Sequence, residues 1–447
     1  MKINFIKLLY EEENDMKKNK GITLVALVVT IVVLLILAGV SINLVLGNNG
    51  IIAKAKEAQR KSAEASQNDL IGMNELAQQL EGKLNGSTGS GSENGGKTEP
   101  ETVPYLPSDD FHYDTSTSVD TGLVIQDASG NEYVWVVVPR TTAVYKTTVL
   151  GKTTFTDADY TSIENDLKDY TSTYVTTYGY SDTYVADDKS VGWFADETAY
   201  NNLKNSMLKS VYENGGFYVG RYEAGIGTNR TSKSATNSDG KYTIEGMPTP
   251  VSKADAYPYT YVTRTQAQNL ASKVNAGTKT GSLMFGVQWD LVLAFMSKDT
   301  AKITSTDVLT TDSTTIGNYY NSTFQLSQTG KYATMSKWSL SSTWNPTTTS
   351  TTDFVDSSRN KIAQSSQGNG ILVTTGTSEK NKVMNIYDVA GNVWEWTLEK
   401  TSYDGNPCAR RGGSCGDYGS DDPAANCNYI YTTTIANGYV GFRLSLW

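Results

Sequence analysis

The chain has 447 residues, a formal net charge of −9, 38% hydrophobic residues and 19% charged residues. This composition supplies a core for two or three domains, and the negative charge argues against nucleic acid as a partner. A single histidine, His112, excludes a three-histidine metal site and leaves little room for a Ser-His or Cys-His catalytic pair. The three cysteines allow either one disulfide with a free thiol or three free thiols.

An apolar segment near the N-terminus is the strongest signal in the chain. Residues 22–46 carry no charged side chain, and a helix of that length crosses a hydrocarbon core of about 30 Å. Lys17, Lys18 and Lys20 precede the segment and indicate a cytoplasmic N-terminus. The sequence therefore predicts a single-pass protein of the cell membrane whose C-terminal part is extracellular.

The motif GITLVALVVTI at the start of this segment resembles the N-terminus of type IV pilins and pseudopilins. In that family a peptidase removes a short basic leader that ends in Gly. The resemblance implies a leader at 1–21, cleavage between Gly21 and Ile22, a pilin-like transmembrane helix at 22–46, and other pilins as partners in a pilus. The family's usual Glu at the fifth mature position is Ala26 here, which removes the carboxylate that offsets a buried charge in a filament. A simple membrane anchor is the alternative.

Two segments follow the apolar one. Residues 47–83 are rich in Ala, Glu, Lys and Gln, with apolar residues at helical spacing, and predict a stalk helix. Residues 84–104 contain mainly Gly, Ser, Glu and Pro, without an apolar pattern, and predict a flexible linker. The functional domain is expected to occupy residues 105–447.

The pattern of this domain predicts an α+β fold with many strands and few helices. Residues 121–140 read as a β-hairpin around the turn DASGNE, and residues 215–226 as a further strand. Helical spacing that ends in Gly predicts helices within 198–215 and 263–277. Residues 304–378 are dominated by Thr, Ser, Asn and Asp and predict a polar insertion with strands at best.

The motifs IYDVAGNVWEWT, RRGGS and VGFRLSL, in this order, resemble the formylglycine-generating enzyme/sulfatase-modifying factor family. The segments VWVVVPR, GGFYVGRYEAG and GSLMFGVQWDLVLAFM stand where earlier elements of that family fall. The resemblance covers most of 105–447 and leaves the polar insertion unmatched. It implies a C-type-lectin-like fold.

Alternation in the GNVWEW motif predicts that Trp394 and Trp396 face one side of an extended segment and Glu395 the other. The family resemblance implies a calcium site here, with ligands from Asp388, the carbonyls of Gly391 and Val393, and Glu395. Carboxylate and carbonyl oxygens are ligands that Ca²⁺ prefers. The alternative is an ion pair between Glu395 and an arginine such as Arg443.

The same family includes copper-dependent oxidases, whose two active-site cysteines follow the RGGS motif with four residues between them. Here Cys415 follows Ser414 directly and the next cysteine is Cys427, so the family's pair is missing. Cu(I) needs two such soft ligands. We therefore expect no copper and no enzymatic activity; a formylglycine-generating type of oxidase is the alternative.

The C-terminal segment 410–443 resembles the variable region of the target proteins of diversity-generating retroelements, which also have a C-type-lectin-like fold. The framework would be Arg411-Gly412-Gly413, Gly419-Ser420, Pro423-Ala424 and Gly441-Phe442-Arg443. Between these lie the exchangeable surface residues expected to bind the ligand: Ser414, Cys415, Asp417, Tyr418, Asp421, Asp422, Asn426, Cys427, Asn428, Tyr429, Tyr431, Asn437 and Tyr439. Tyr with small polar residues is typical of adaptable binding surfaces. The alternative is an ordinary loop-rich C-terminus.

Together these patterns predict a non-catalytic, adhesin-like surface protein with a surface protein or glycan as ligand. A structural pilus subunit is the remaining alternative.

Overall fold

The computed structural model describes residues 104–175, 180–232, 235–322, 330–336, 339–340, 343–347 and 370–447. These ranges lie within one compact unit, Ala77–Trp447. The predicted leader, transmembrane helix and stalk, and the linker up to residue 103, lie outside the described residues. No helix within the described ranges has the length and apolar character needed to span a membrane.

The described ranges form a mixed α/β structure with few helices. The α-helices are α1 (Asp157–Tyr170), α2 (Glu197–Asn214), α3 (Arg264–Ala271), α4 (Gly286–Met296) and α5 (Asp307–Thr310). Short 3-10 turns occupy Val119–Thr121, Ser172–Tyr174 and Glu379–Asn381. The strands are β1 (Phe111–Tyr113), β2 (Val124–Asp127), β3 (Glu132–Val137), β4 (Tyr180–Ser181), β5 (Gly216–Gly220), β6 (Gly225–Ile226), β7 (Tyr257–Pro258), β8 (Gly281–Ser282), β9 (Lys331–Ser336), β10 (Ser339–Leu340), β11 (Asn345–Pro346), β12 (Ile371–Val373), β13 (Lys382–Val383), β14 (Ile386–Tyr387), β15 (Trp394–Thr401), β16 (Cys408–Arg411), β17 (Cys427–Tyr431), β18 (Val440–Phe442) and β19 (Ser445–Leu446).

Two larger sheets organise the described part of the chain. One has the strand order β1-β2-β3-β5-β19-β8, so that the last strand of the chain lies between β5 and β8. The other has the order β17-β16-β15-β18, with β4 also paired to β15. β15 and β18 run parallel, whereas β15, β16 and β17 form an antiparallel meander. A smaller sheet joins β9 to β10, β11 and β12, and two strand pairs, β6-β7 and β13-β14, complete the arrangement.

Helix α4 lies in the core, and every one of its residues is buried. A helix that is apolar on all sides is stable only when protein surrounds it. Its first backbone N–H groups, from Gly286 and Val287, donate to the buried carboxylate of Asp182 at 2.6 and 3.1 Å. Trp289 and Asp290 project from this helix toward the C-terminal segment and position it.

Several local predictions are confirmed. β2 and β3 form the expected hairpin, with Val124 opposite Val134. Helix α2 ends at Gly215, whose φ of 69° is the left-handed conformation that Gly adopts readily. The predicted helix within 263–277 forms, but it ends at Ala271, so Gly277 does not terminate it.

The expectation of strands at best within 304–378 is wrong in one place, because Asp307–Thr310 is helical. The described parts of this region otherwise contain β9 to β12. β12 pairs with β9 in antiparallel register, with Leu372 opposite Ala333. Apolar side chains such as those of Ala333 and Leu372 thus pack this part of the polar insertion against the core.

Candidate ligand-binding site

The segment 410–443 begins with two neighbouring arginines on β16, which point to opposite faces of the strand. Arg411 is fully buried and makes two hydrogen bonds to the carboxylate of Glu399, at 3.0 and 2.7 Å. It also donates to the carbonyl oxygen of Ala425 at 2.9 Å and lies 3.4 Å from a carboxylate oxygen of Asp290. The ring of Tyr180 covers the guanidinium at 4.1 Å. Arg411 therefore fixes the loop around Ala425 to the core.

Arg410 lies among aromatic rings on the other face. Its guanidinium carbon is 4.0 Å from the ring centroid of Trp394, 4.4 Å from that of Tyr431 and 5.5 Å from that of Tyr439. It donates to the Tyr431 hydroxyl at 3.2 Å, and that hydroxyl is hydrogen-bonded to the Tyr439 hydroxyl. Cation–π contacts that exclude water are worth about 2 kcal/mol or more. The rings of Tyr431 and Tyr439 thus pack against the guanidinium of Arg410.

The double glycine after the arginines is required by space and by backbone conformation. Gly412 and Gly413 have φ values of 92° and 76°, in the region that favours Gly. A Cβ atom would lie 2.6 Å from the Val389 carbonyl oxygen at the first position and 2.4 Å from the Asp422 carbonyl oxygen at the second. This close approach sets the direction in which the following loop leaves β16.

Twelve of the thirteen residues expected to bind the ligand divide into two groups, and the side chain of Tyr429 lies outside the described part of the structure. Those that the structure buries are Ser414, Cys415, Asn426, Cys427, Tyr431 and Tyr439. Those that are exposed or half-buried are Asp417, Tyr418, Asp421, Asp422, Asn428 and Asn437. The expectation of a surface position is therefore wrong for the first group, and Cys415 is fully buried. Ligand contact by Tyr429 stays a prediction.

The exposed members meet a segment that the sequence argument did not include. Tyr418 is 47% exposed, and its ring lies edge to face with that of Tyr320 at 5.5 Å. The Tyr320 backbone N–H donates to the Asp417 carbonyl oxygen at 2.9 Å. We call the surface formed by Tyr320, Asp417, Tyr418, Asp421 and Asp422 the Tyr418 surface. In the sequence only the Tyr-Tyr pair within a polar stretch pointed to Tyr320, and the structure buries its first member, Tyr319.

The Tyr418 surface is acidic. Its three aspartates lie in a stretch, 412–442, that contains no Lys or Arg. Burial raises the pKa of Asp422 to about 6, and the neighbouring charge of Asp417 adds to this effect. The Asp417 carboxylate accepts hydrogen bonds from the backbone and hydroxyl of Ser414, at 2.9 and 2.6 Å, and so closes the turn. Asp421 is exposed and presents its charge to solvent.

All three cysteines of the chain are buried and free, which selects the open possibility of three free thiols. Burial is the main cause that raises the pKa of the Cys408, Cys415 and Cys427 thiols. A thiol must lose its proton to act as a nucleophile or a metal ligand. Burial thus disfavours the thiolate form of all three cysteines.

The residues that the resemblance assigns to calcium are buried close to Arg443. Both carboxylate oxygens of Glu395 accept from the Arg443 Nε at 3.1 Å, and Nη2 donates at 2.6 Å. The Asp388 carboxylate accepts from the backbone N–H of Gly376 at 2.9 Å and the side chain of Asn381 at 3.2 Å. As placed, these carboxylates face N–H donors and a cation, so they do not fit a calcium ion.

The two residues whose carbonyl groups complete that set have contacts elsewhere. Gly391 has a φ of 73° and approaches the Asn318 backbone, and the Val393 N–H donates to the buried Glu223 carboxylate at 3.2 Å. Within the described ranges, no group of three or more His, Cys, Asp or Glu side chains is arranged to hold a metal. The ion pair with Arg443, the alternative from sequence, accounts for the position of Glu395.

The sequence analysis did not identify Asp290 and Glu399, the acids that hold Arg411 in place. Burial raises the pKa of Asp290 to about 7, with the Arg411 charge acting in the opposite direction. A charged residue inside the apolar run GVQWDLVLAFM was the available signal, because a buried charge requires a partner. Trp289 of the same run donates to the Ala424 carbonyl oxygen at 3.0 Å and holds the predicted framework.

Comparison with known proteins adds no relative to this geometry. No family model matches the chain, and no curated protein matches it.

Proposed function

We propose that this protein is a membrane-anchored, pilin-like surface protein whose C-type-lectin-like domain binds a ligand through the Tyr418 surface. The segment 410–443 supplies most of that surface, and in our proposal a retroelement diversifies it. The protein acts as a non-catalytic, adhesin-like binder, and its partner is a protein or glycan on another surface.

One observation carries this proposal: a short run of exposed or half-buried contact positions lies between framework positions that are buried. Framework positions are buried with the exception of Ser420: Arg411, Gly412, Gly413, Gly419, Pro423, Ala424, Gly441, Phe442 and Arg443. Four contact positions, Asp417, Tyr418, Asp421 and Asp422, lie as two pairs on either side of Gly419 and Ser420 in this loop. A loop held at both ends by buried groups can change its exposed side chains at little cost in stability.

The chemistry of the Tyr418 surface also suggests what it binds. Tyrosine side chains supply contact area at a low entropic cost, and three aspartates accept hydrogen bonds and attract positive charge. We therefore expect a ligand that presents basic or hydrogen-bond-donating groups. An oxidase has less support, because the spacing of Cys415 and Cys427 does not give the pair of soft ligands that Cu(I) requires.

Diversification predicts a specific distribution of substitutions among sibling isolates. Sequencing the 3′ end of the gene should find substitutions concentrated at positions 417, 418, 421, 422, 428 and 437, where side chains reach solvent. Positions 415 and 427 should keep small apolar side chains, since overpacking a buried site costs about 1–3 kcal/mol. An even spread of substitutions over Gly412, Gly413 and the loop would contradict the proposal.

The pilin-like N-terminus predicts a defined mature end. Mass spectrometry of the protein from its native membrane should find a chain that starts at Ile22. Replacing Gly21 by a bulky residue should leave the leader attached, while replacing Lys20 by Arg, which keeps the charge of the leader, should not. An intact leader on the wild-type protein would reduce this part of the proposal to a simple membrane anchor.

A further inference from the structure

A cleft of about 540 Å³ lies away from the residues of the C-terminal segment. The loop at 192–194, helices α2 and α3 and the segment 274–281 form its walls. None of its described lining residues belongs to 410–443. Its volume falls within the range of about 300–1,000 Å³ that small-molecule sites occupy.

Two aromatic side chains form one wall of the cleft. Trp193 and Phe194 are half-buried, and their rings lie 4.8 Å apart at 72°. Trp193 is held on two sides, since its indole N–H donates to the Val185 carbonyl oxygen at 2.9 Å and Arg264 covers its ring at 5.2 Å. The indole is thus positioned before any ligand arrives, which lowers the entropic cost of binding.

Polar side chains of helix α3 and its C-terminal end form the facing wall. Gln268 and Ser272 lie one helical turn apart on the same side, next to Asn269. The Gln268 Oε1 atom accepts from the Ser282 hydroxyl at 3.0 Å and the Leu283 N–H at 2.9 Å, which fixes the amide. The Asn269 amide is fixed in turn by donating to the Val191 carbonyl oxygen at 2.8 Å. The facing wall therefore offers oriented amides and a hydroxyl.

The charges that line the cleft restrict the kind of ligand that it can bind. Lys279 is the one ionisable side chain among the described lining residues, and its ammonium lies 3.9 Å over the Tyr105 ring. Burial is the main cause that lowers the pKa of Lys279. No carboxylate lines the cleft among the described residues, and its other polar side chains are uncharged amides and hydroxyls, which suit a neutral ligand.

We propose that this cleft binds a neutral saccharide of one or two pyranose rings. A pyranose has an apolar C–H face that packs on an aromatic ring and a hydroxyl edge that exchanges hydrogen bonds with amides and hydroxyls. Trp193 with Phe194 provides the first surface, and Gln268, Asn269 and Ser272 provide the second. This site is separate from the Tyr418 surface and does not depend on the function proposed for that surface.

Saturation-transfer NMR on the full-length protein tests the proposal. The protein should be held in an amphipol, since glucoside and maltoside detergents would compete. The probes are cellobiose, lactose, mannobiose and N,N′-diacetylchitobiose, with sialic acid as a charged comparison. We expect at least one neutral disaccharide to receive saturation, and Trp193→Ala to weaken its binding by about tenfold, the equivalent of 1.4 kcal/mol.

Four further variants keep this test decisive. Ser272→Tyr narrows the cleft without removing a core contact, so it should abolish binding even if Trp193→Ala loosens the fold. Tyr403→Ala removes another exposed tyrosine and should change nothing. Tyr418→Ala should also leave saccharide binding intact. Failure of every neutral probe, survival of binding in Ser272→Tyr, loss in Tyr418→Ala, or a preference for sialic acid that Lys279→Ala abolishes would each overturn the proposal.

Discussion

Arg411→Met is expected to lower the free energy of unfolding by about 3–5 kcal/mol, because it leaves buried carboxylates without their cation. Glu399 loses both hydrogen bonds, and Asp290 loses the positive charge 3.4 Å away. The Ala425 carbonyl oxygen loses its donor, so the loop that precedes β17 should loosen as well. Denaturant titration of the full-length protein, followed by tryptophan fluorescence, measures the effect.

The pH dependence of this loss distinguishes a charge effect from a packing effect. Because burial raises the folded-state pKa of Asp290 to about 7, the folded protein binds a proton more tightly than the unfolded chain does. The contribution of this group to stability is therefore present at low pH and lost as the pH rises through about 4 to 7. Removing Arg411 raises the pKa of Asp290 further. The loss of stability in Arg411→Met should therefore be larger at pH 8 than at pH 5.

A matched control separates this buried pair from an exposed one. Lys209 and Glu213 pair on the surface of α2, with side chains 41% and 38% exposed. Lys209→Met should cost at most about 1 kcal/mol, since water screens such a pair. An Arg411→Met loss as small as this, or one independent of pH, would show that the buried network does not hold the C-terminal segment.

Arg443→Met is expected to have a loss of similar size, about 3–5 kcal/mol. Arg443 binds both oxygens of Glu395 and donates to three backbone carbonyl oxygens, those of Gly220, Tyr387 and Asp388. Without it, Glu395 and Asp388 would be buried with no cation between them. The same denaturant titration provides the measurement.

A double-variant cycle tests whether the ion pair explains this loss. Glu395→Gln removes the unpaired charge, so Arg443→Met with Glu395→Gln should be more stable than Arg443→Met alone. Arg221 and Glu132 form a partly exposed pair, with side chains 15% and 23% exposed, and Arg221→Met should cost clearly less. Strictly additive losses in the cycle would argue against the ion pair as the main role of Glu395.

Local sequence signals predicted local structure well. The alternation in residues 121–140 and the turn DASGNE predicted the hairpin of β2 and β3, because strand faces and turn residues act over a few positions. The helical spacing before Gly215 predicted α2 for the same reason. The helix α4 and the fold of the polar region around β9 were not predicted, since neither shows a period that separates a buried face from an exposed one.

The candidate site shows the same contrast between features that local sequence signals predict and features that depend on distant residues. The motif RRGGS and the mix of Tyr, Asp and Asn after it were sufficient to select the segment 410–443. They could not tell Cys415, which is fully buried, from Tyr418, which is 47% exposed. Burial within a turn depends on what packs over it, and here Tyr320 and α4 come from more than 90 residues earlier in the chain.

The sequence by itself determined the short-range features of this protein: the apolar segment at 22–46, the hairpin, helix α2, and the absence of the histidines and cysteine spacing that several catalytic sites need. The tertiary structure alone decided that Arg411 pairs with Glu399, that Glu395 pairs with Arg443, which predicted contact residues reach solvent, and that a cleft lies beside α3. The reason is physical. Helix and turn preferences are set by neighbours in the chain, whereas burial and ion pairing are set by residues that only folding brings together.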